Sequence, residues 1–279
     1  DDKGPTMACY YGLKIIKDLG LPVSKRVRFV VGTDEESGWA DMDYYFAHVG
    51  LPKPDFGFSP DAEFPIINGE KGNITEYLHF DGANDGDFVL HSLSGGLREN
   101  MVPEAGRAVF SGPVDLDILQ EKLAAFTAEN PVTASLTEEA GRFQLEVIGK
   151  SAHGASPASG INGVTYLANF LSQFAFAGPA KAYLTIAGQI LHQDHFGQAT
   201  GVAYEDEKMG KLTMNAGVFS FDAASSDNCI ALNFRFPQGT DEKKIQAVLE
   251  GLEGVREVSL SQHMHTPHYT PMEDELVST

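Results

Sequence analysis

The sequence predicts an α/β protein that combines two kinds of domain. The first 68 residues predict part of an α/β domain with a mostly parallel sheet, because a strand with a wholly apolar end lies between two helical patterns. After residue 68 the predicted strands come in adjacent pairs followed by helices, which is typical of an α+β domain. This order occurs twice, so the second domain is predicted to be doubled.

Four short elements predict the first domain. Residues 5–19 favour a helix between a proline and a glycine. Residues 26–33 (RVRFVVGT) alternate at first and then become apolar, as in a buried parallel strand. Residues 40–49 indicate a second helix, and residues 56–58 a short strand. Acidic residues follow both predicted strands, and ligands of open α/β sheets collect beyond the carboxyl ends of strands.

The second domain, predicted over residues 69–264, contains two ferredoxin-like units of strand, strand, helix and strand. The first unit is predicted from residues 86–92, 105–111, 115–128 and 143–149, and the second from residues 212–221, 228–236, 241–252 and 256–263. Helical patterns near residues 161–176 and 179–191 join the two units. Residues 265–279 are predicted to return to the first domain.

Charge and composition exclude several classes of partner. The 279 residues carry 39 acidic and 20 basic side chains, which gives a formal net charge of −19. Such a chain does not favour nucleic acid or an anionic membrane surface, since both attract Lys and Arg. No apolar run of the sequence reaches the roughly 18 residues of a membrane span. The two cysteines, Cys9 and Cys229, are too few for a disulfide framework, and reduced thiols predict a cytoplasmic protein.

Three acidic positions beside turn residues are candidates for a metal site. They are Asp1-Asp2, Asp34-Glu35-Glu36 and Asp61. Neighbouring carboxylates at a strand end repel each other unless a cation or protons offset the charge. Adjacent side chains of an extended backbone point in opposite directions, so one glutamate could bind metal while the other acts as a general base. The alternative is a solvated acidic loop, which is common in a chain this negative.

The histidines provide further candidates. One group consists of His263, His265 and His268, and another of His192, Asp194 and His195. Residues two apart on a strand share a face, so His263 and His265 could bind one metal together. The alternative for both groups is ordinary polar residues on an exposed strand and at a helix end. His153 lies among small residues that let a ligand approach, and it is either a functional or a structural residue.

Four segments resemble, in order and spacing, motifs of the dinuclear zinc aminopeptidase, carboxypeptidase and aminoacylase family. They are Asp1-Asp2-Lys3-Gly4, Gly32-Thr33-Asp34-Glu35-Glu36-Ser37-Gly38, Ser59-Pro60-Asp61-Ala62-Glu63-Phe64-Pro65 and Ser151-Ala152-His153-Gly154-Ala155. The stretch from Gly32 to Gly72 is closest to bacterial dipeptidases of the PepV type, and the resemblance covers essentially all 279 residues. It implies a catalytic α/β domain with a lid domain. The lid is doubled in that type, which implies a monomer.

The resemblance implies a reaction and its catalytic groups. Asp1 matches the aspartate that bridges two zinc ions, Glu36 a ligand of one ion and Asp61 a ligand of the other. Glu35 matches the general base. The implied reaction is hydrolysis of dipeptides or short peptides with a free carboxyl end by a zinc-bridged hydroxide. Cobalt or manganese could replace zinc.

The resemblance also implies roles for three lid residues. His153 and Asn100 match residues that stabilise the oxyanion. Arg235 matches the residue that binds the terminal carboxylate of the substrate, which a guanidinium group can bind in a bidentate manner.

One departure from the family pattern concerns the histidine ligands. The family requires a His-x-Asp motif well before Asp1 and a second histidine near the carboxyl end, and the sequence has neither. We therefore expect an internal fragment that lacks both ends, binds metal weakly and is inactive alone. Two alternatives stay open: a non-catalytic domain that acts as a binding or structural module, and an N-acyl amino acid deacylase of the same superfamily.

Overall fold

The computed structural model describes residues 3–34, 39–61, 65–82, 86–262 and 264–279. These residues form two compact units. The first unit covers the described residues within Asp1–Asn68 and Tyr269–Thr279, and the second covers those within Gly69–His268. Within the described ranges, no helix has the length and the apolarity that are needed to cross a membrane.

Six α-helices and 12 strands are formed by the described residues. The helices are α1 (Lys3–Asp18), α2 (Ala40–His48), α3 (Leu116–Glu129), α4 (Gly163–Leu171), α5 (Gly178–Thr185) and α6 (Glu242–Leu249). A 3-10 turn spans Pro157–Ser159 and a π-helical turn spans Ile186–Ile190. The strands are β1 (Gly69–Glu70), β2 (Gly72–Phe80), β3 (Val89–Gly95), β4 (Ala105–Ser111), β5 (Thr133–Glu139), β6 (Arg142–Ile148), β7 (Glu205–Asp206), β8 (Gly210–Lys211), β9 (Thr213–Asp222), β10 (Asn228–Phe236), β11 (Glu257–Leu260) and β12 (His268–Tyr269).

One eight-stranded sheet organises the second unit. Its strand order is β11-β2-β10-β9-β3-β4-β6-β5, and each neighbouring pair is antiparallel. Helices α3, α4 and α6 pack against the sheet, and α5 packs against α4. Alternating apolar side chains of the strands point towards the helices, and Phe80, Phe110, Phe219 and Phe234 are among the fully buried ones.

The predicted mostly parallel sheet of the first domain was wrong. Residues 26–33 and 56–58 are not strands, and none of the described residues of the first unit is buried. Val27 and Val31 are 58% and 64% exposed. A buried parallel strand needs strands on both sides, and the described residues before Gly69 form no strand. An apolar pattern shows that a segment can be buried, and it does not show that its partners are in place.

The two predicted ferredoxin-like units do not form two sheets. The predicted order of strand, strand, helix and strand occurs in each half of the second unit. Both halves belong to a single continuous sheet, because β9 pairs with β3 and joins them. Strand β2 lies between β10 and β11, and β5 forms an edge; neither strand was predicted. Individual strands were still predicted correctly, since β4 and β10 have the predicted bounds. Local alternation therefore identified strands, but it did not identify their neighbours.

One carboxyl group lies inside the core. Glu76 of β2 is fully buried, and neither of its carboxylate oxygens has a hydrogen-bond partner among the described residues. Ile74 and Leu78 share its face of the strand and belong to the core, and α6 packs against β2. The pKa of Glu76 is raised from 4.5 to about 8, mainly by burial and also by the charges of Glu250 and Glu242.

Replacing Glu76 with Gln should stabilise the protein at alkaline pH. Because its pKa is raised on folding, the folded protein binds more protons than the unfolded chain between about pH 4.5 and 8, and stability falls as pH rises through this window. Gln has a similar volume and does not titrate. In denaturant titrations of the full-length protein, we expect Glu76→Gln to raise the free energy of unfolding by about 2–4 kcal/mol at pH 8 and by little at pH 4.5.

The matched control is Glu250→Gln at the exposed end of α6. This variant should keep nearly all of the pH dependence, because the charge of Glu250 adds to the pKa shift of Glu76 less than burial does. A Glu76→Gln protein whose stability falls with pH as steeply as that of the wild type would contradict the prediction.

Candidate functional site

The acidic residues predicted for the metal site belong to the first unit or lie outside the described residues. Asp1, Glu35 and Glu36 are outside the described ranges. Asp61 is described and lies at an exposed loop position. The structure therefore gives geometry for one of the four residues assigned to metal binding and general base catalysis.

Hydrogen bonds hold the residues that flank the Glu35-Glu36 segment. The carboxylate of Asp34 accepts a hydrogen bond from the backbone N–H of Ala40 at 2.9 Å. In return, the carboxylate of Asp41 accepts from the backbone N–H groups of Thr33 and Asp34. The Thr33 bond is the main reason why the pKa of Asp41 is lowered. These reciprocal contacts fasten the chain before the acidic pair to the start of α2.

The loop that carries Asn100 is fastened to the sheet. Asn215 of β9 donates from its side-chain amide to the backbone carbonyls of Glu99 at 2.7 Å and of Met101 at 2.9 Å. The register of β9 against β10 shifts beside Gly217. A Cβ atom on Gly217 would lie 2.3 Å from the carbonyl oxygen of Glu99, so only glycine lets the loop approach this closely. The side chain of Asn100 is left exposed on this loop.

His153 lies beside Asn100 in the structure, as the prediction of a shared role requires. The backbone N–H of Gly154 donates to the carbonyl of Asn100 at 2.7 Å, and Met101 and His153 form an antiparallel bridge. The exposed imidazole accepts a hydrogen bond at Nδ1 from the backbone N–H of Ala155 at 3.1 Å. A backbone N–H can only donate, so Nδ1 is unprotonated and the hydrogen of the neutral ring is on Nε2. That Nε2–H group can donate to a ligand.

Arg235 lies near the end of β10. It is directly opposite Asn73 of β2 on one side and Thr213 of β9 on the other. The side chain is half-buried. Burial lowers the pKa of its guanidinium group, and the negative charge of Glu70 acts in the opposite direction. No ion pair or hydrogen bond joins its guanidinium group to another described residue, and Nε is enclosed without a partner. A half-buried guanidinium group without a hydrogen-bond partner among the described residues is suited to bind an anionic ligand.

A polar face of the sheet connects Arg235 with the Asn100 loop. We define it by Asn73, Thr213, Asn215, Asn233 and Arg235. Asn233 lies opposite Asn215 and two residues before Arg235, so these three side chains share one face. The amide nitrogen of Asn233 donates to the side chain of Asn73 at 2.9 Å. Through Asn215, the same face holds the loop of Asn100.

The polar face was not predicted, although the sequence carries a signal for it. Asn is depleted from strands. An Asn within an otherwise apolar strand, as in TMNAGVF and IALNFRF, therefore indicates that its side chain forms specific hydrogen bonds. Asn215 and Asn233 are 2% and 4% exposed, and both make such bonds.

The second histidine group has a structural explanation. The buried carboxylate of Asp194 accepts hydrogen bonds from the backbone N–H groups of Gln198, Ala199 and Thr200, so it holds a turn. The pKa of His192 is lowered to about 4, mainly by burial and also by His195. Within the described ranges, no group of three or more His, Cys, Asp and Glu side chains could hold a metal ion.

The first histidine group is only partly described. His263 lies outside the described residues. His265 is exposed, and its backbone forms an antiparallel bridge with Asn73. His268 lies in the two-residue strand β12.

Comparison with known proteins gives these observations a context. No family model matches the chain. A beta-Ala-Xaa dipeptidase of Lactobacillus delbrueckii subsp. lactis is 38% identical over 283 residues, which cover 100% of this chain and 59% of that protein. The protein YtjP of Bacillus subtilis (strain 168), which its name describes as a presumed dipeptidase, is 37% identical over 284 residues and 60% of its length. The chain is a homologue of these dipeptidases.

The resemblance inferred from four sequence segments is thereby confirmed as homology to dipeptidases. A further relative, SAR1836 of Staphylococcus aureus (strain MRSA252), is also named as a presumed dipeptidase and is 34% identical over 99% of the chain. The chain spans about 60% of the length of the curated relatives that it matches. Because the similarity covers the whole chain, it includes the segments with Asn100, His153 and Arg235.

Proposed function

We propose that the chain is part of an enzyme that hydrolyses dipeptides or short peptides with a free carboxyl end. Homology to dipeptidases along the whole chain is the observation that carries this proposal. Such a reaction needs a base for the attacking water, donors for the oxyanion and a group that orients the substrate. We assign the base to Glu35, the donors to His153 and Asn100, and the orienting group to Arg235.

Two zinc ions, or cobalt or manganese in their place, belong to this proposal on the basis of the family resemblance. We assign Asp1, Glu36 and Asp61 as carboxylate ligands. The described residues do not make a metal site by themselves, since they contain no group of three or more potential ligand side chains. When bound, the ions would polarise the substrate carbonyl and lower the pKa of a bound water.

The geometry of the lid loops supports the oxyanion role. Asn100 and His153 are neighbours through the backbone bond between Gly154 and Asn100, and both side chains are exposed. The hydrogen bond at Nδ1 leaves Nε2–H of His153 as a donor. Two donors on adjacent loops can reach the same developing negative charge.

The surroundings of Arg235 support the carboxylate role. An ordinary structural ion pair was the alternative in a chain with 39 acidic residues, and no such pair is formed with the described residues. A guanidinium group matches a carboxylate with two parallel hydrogen bonds. A half-buried position strengthens these bonds relative to water.

Arg235→Ala should weaken kcat/KM for dipeptides by about 10- to 100-fold, because a charge-assisted hydrogen bond contributes about 1.5–3 kcal/mol. The loss should be much smaller for the same dipeptides with an amidated carboxyl end. The measurement is steady-state kinetics of the full-length enzyme on both substrates. Arg107→Ala is the control, since Arg107 forms an exposed ion pair with Glu146 on β4 and β6. Equal losses on both substrates would assign Arg235 to the fold instead.

The proposal as a whole is tested with the full-length protein and two substrate series. Dipeptides and N-acyl amino acids with the same carboxyl-terminal residue are compared after metal removal and after zinc, cobalt or manganese addition. We expect metal-dependent cleavage of the dipeptides at a much higher kcat/KM. Preference for the N-acyl amino acids would make the protein a deacylase, and no cleavage of either series would contradict an enzymatic function.

We also propose that the enzyme is a cytoplasmic monomer. The pKa of Cys229 is raised to about 12, mainly by burial, so its thiol stays protonated and unreactive, as suits a reduced cysteine. The monomer rests on the doubled lid of the resembling enzymes. Sedimentation of the full-length protein tests it, and a dimer at micromolar concentration would contradict it.

A further inference from the structure

Buried polar atoms without hydrogen-bond partners gather at one place on the sheet. Among the described residues, such atoms belong to Glu76, Thr213, Asn233 and Arg235. Glu76 lies in the core, and the other three belong to the polar face. Burying a polar group without a partner costs free energy, so three such atoms on one face indicate a place where a bound group can supply the missing hydrogen bonds.

The register places Thr213 beside Arg235. The two residues are directly opposite each other on β9 and β10. Directly opposite side chains share a face of the sheet, with Cβ atoms about 4.5–5.5 Å apart. The side chains of Thr213 and Arg235 therefore occupy neighbouring positions on the same face of the sheet.

The chemistry of the two side chains selects an anion with several acceptor atoms. A guanidinium group donates and never accepts, and a threonine hydroxyl can donate one hydrogen bond. Glu70, whose charge acts on Arg235, forms no ion pair with it. The unpaired atom of Asn233 is its carbonyl oxygen, which accepts and does not bind an anion; its amide nitrogen lies within hydrogen-bond distance of acceptors on Asn73, Ile74 and Thr75. Two donors and one positive charge match a carboxylate.

We infer that Thr213 donates a hydrogen bond to the terminal carboxylate of the substrate beside Arg235, and that it thereby increases the preference for peptides with a free carboxyl end. This inference rests on the proposed function. Thr213 is then a residue that determines specificity. It belongs to none of the sequence motifs, and only its position opposite Arg235 identifies it.

A specificity role predicts effects of opposite sign on stability and on binding. The hydroxyl of Thr213 is buried and has no hydrogen-bond partner among the described residues, so its removal takes away an unsatisfied group. In the complex the same removal loses a hydrogen bond to a charged ligand. Thr213→Val should therefore leave Tm unchanged or raise it by about 2 °C, while it weakens recognition of the carboxylate.

The test uses the full-length enzyme as wild type and with Thr213→Val, Thr213→Ala and Thr213→Ser. The quantity measured is the ratio of kcat/KM for a dipeptide to kcat/KM for its amide. We expect Thr213→Val and Thr213→Ala to lower this ratio about tenfold, mainly through KM for the dipeptide. Thr213→Ser keeps the hydroxyl and should stay within about threefold of wild type.

The outcomes separate this inference from the proposed function. If the wild type cleaves dipeptides and Arg235→Ala lowers the ratio, but Thr213→Val and Thr213→Ala leave it unchanged, the inference on Thr213 alone is overturned. Equal losses on both substrates together with a lower Tm would assign Thr213 to the fold and would also overturn it. If the wild type cleaves neither substrate, the result contradicts the proposed function, and the inference on Thr213 falls with it.

Discussion

On the proposed function, Glu35→Gln should lower kcat of the full-length protein by about 10³- to 10⁴-fold while the proposed metal ions are retained. The proposed role of Glu35 is to take a proton from the attacking water and to pass it to the leaving amine. Gln has almost the same shape and cannot accept that proton. Steady-state kinetics at neutral pH and the metal content of the purified variant measure the two effects.

Glu36→Gln is the comparison that separates the two adjacent glutamates. Glu36 is proposed as a metal ligand, so its replacement should lower the metal content as well as kcat. Added metal should restore part of the activity of the Glu36 variant and none of the activity of the Glu35 variant. Near wild-type turnover of Glu35→Gln, or loss of metal from it, would contradict the assignment of Glu35 as the base.

His153→Ala should lower kcat and kcat/KM together by about 10²- to 10³-fold, which is the usual effect of removing one oxyanion donor. The physical reason is the proposed role of His153, in which Nε2–H, left as a donor by the bond between Nδ1 and Ala155, stabilises the transition state and not the ground state. KM should therefore change little. Initial rates over a range of dipeptide concentrations measure both parameters.

Two further variants test this reading of His153. Gln at this position keeps a side-chain donor and should recover part of the loss. His48→Ala is the control, because His48 lies in the last turn of α2 and is exposed there. A His153→Ala enzyme that loses affinity for the dipeptide while kcat stays constant would assign His153 to substrate binding.

The strands of the second unit show what sequence patterns can predict. β4 and β10 were predicted with their observed bounds, because alternation of apolar and polar residues is a local property. The failure at residues 26–33 has a different cause. A parallel strand depends on neighbours that are distant in sequence, and the apolar residues of this segment carry no information about whether those neighbours pair with it.

The residues of the candidate site stay predictions. Family resemblance proposed Asn100, His153 and Arg235, and the structure adds the contacts that join the first two. Asn215 of β9 holds the Asn100 loop through hydrogen bonds to residues that lie more than 110 positions earlier in the sequence. Such a partnership could not be deduced from one sequence. Thr213 became a candidate only through its position opposite Arg235.

The position of β2 has a consequence for the synthesis of the protein. β2 is the first strand of the eight-stranded sheet along the chain, yet both of its sheet neighbours, β10 and β11, come more than 140 residues later. At 5–20 residues per second, a ribosome needs about 10–30 s to make the intervening chain. During this time β3 and β4 can already pair, while the apolar β2 has unpaired edges. We expect nascent chains that end before β10 to depend on chaperones that shield β2. Folding should be completed only after residue 260 has emerged from the ribosome.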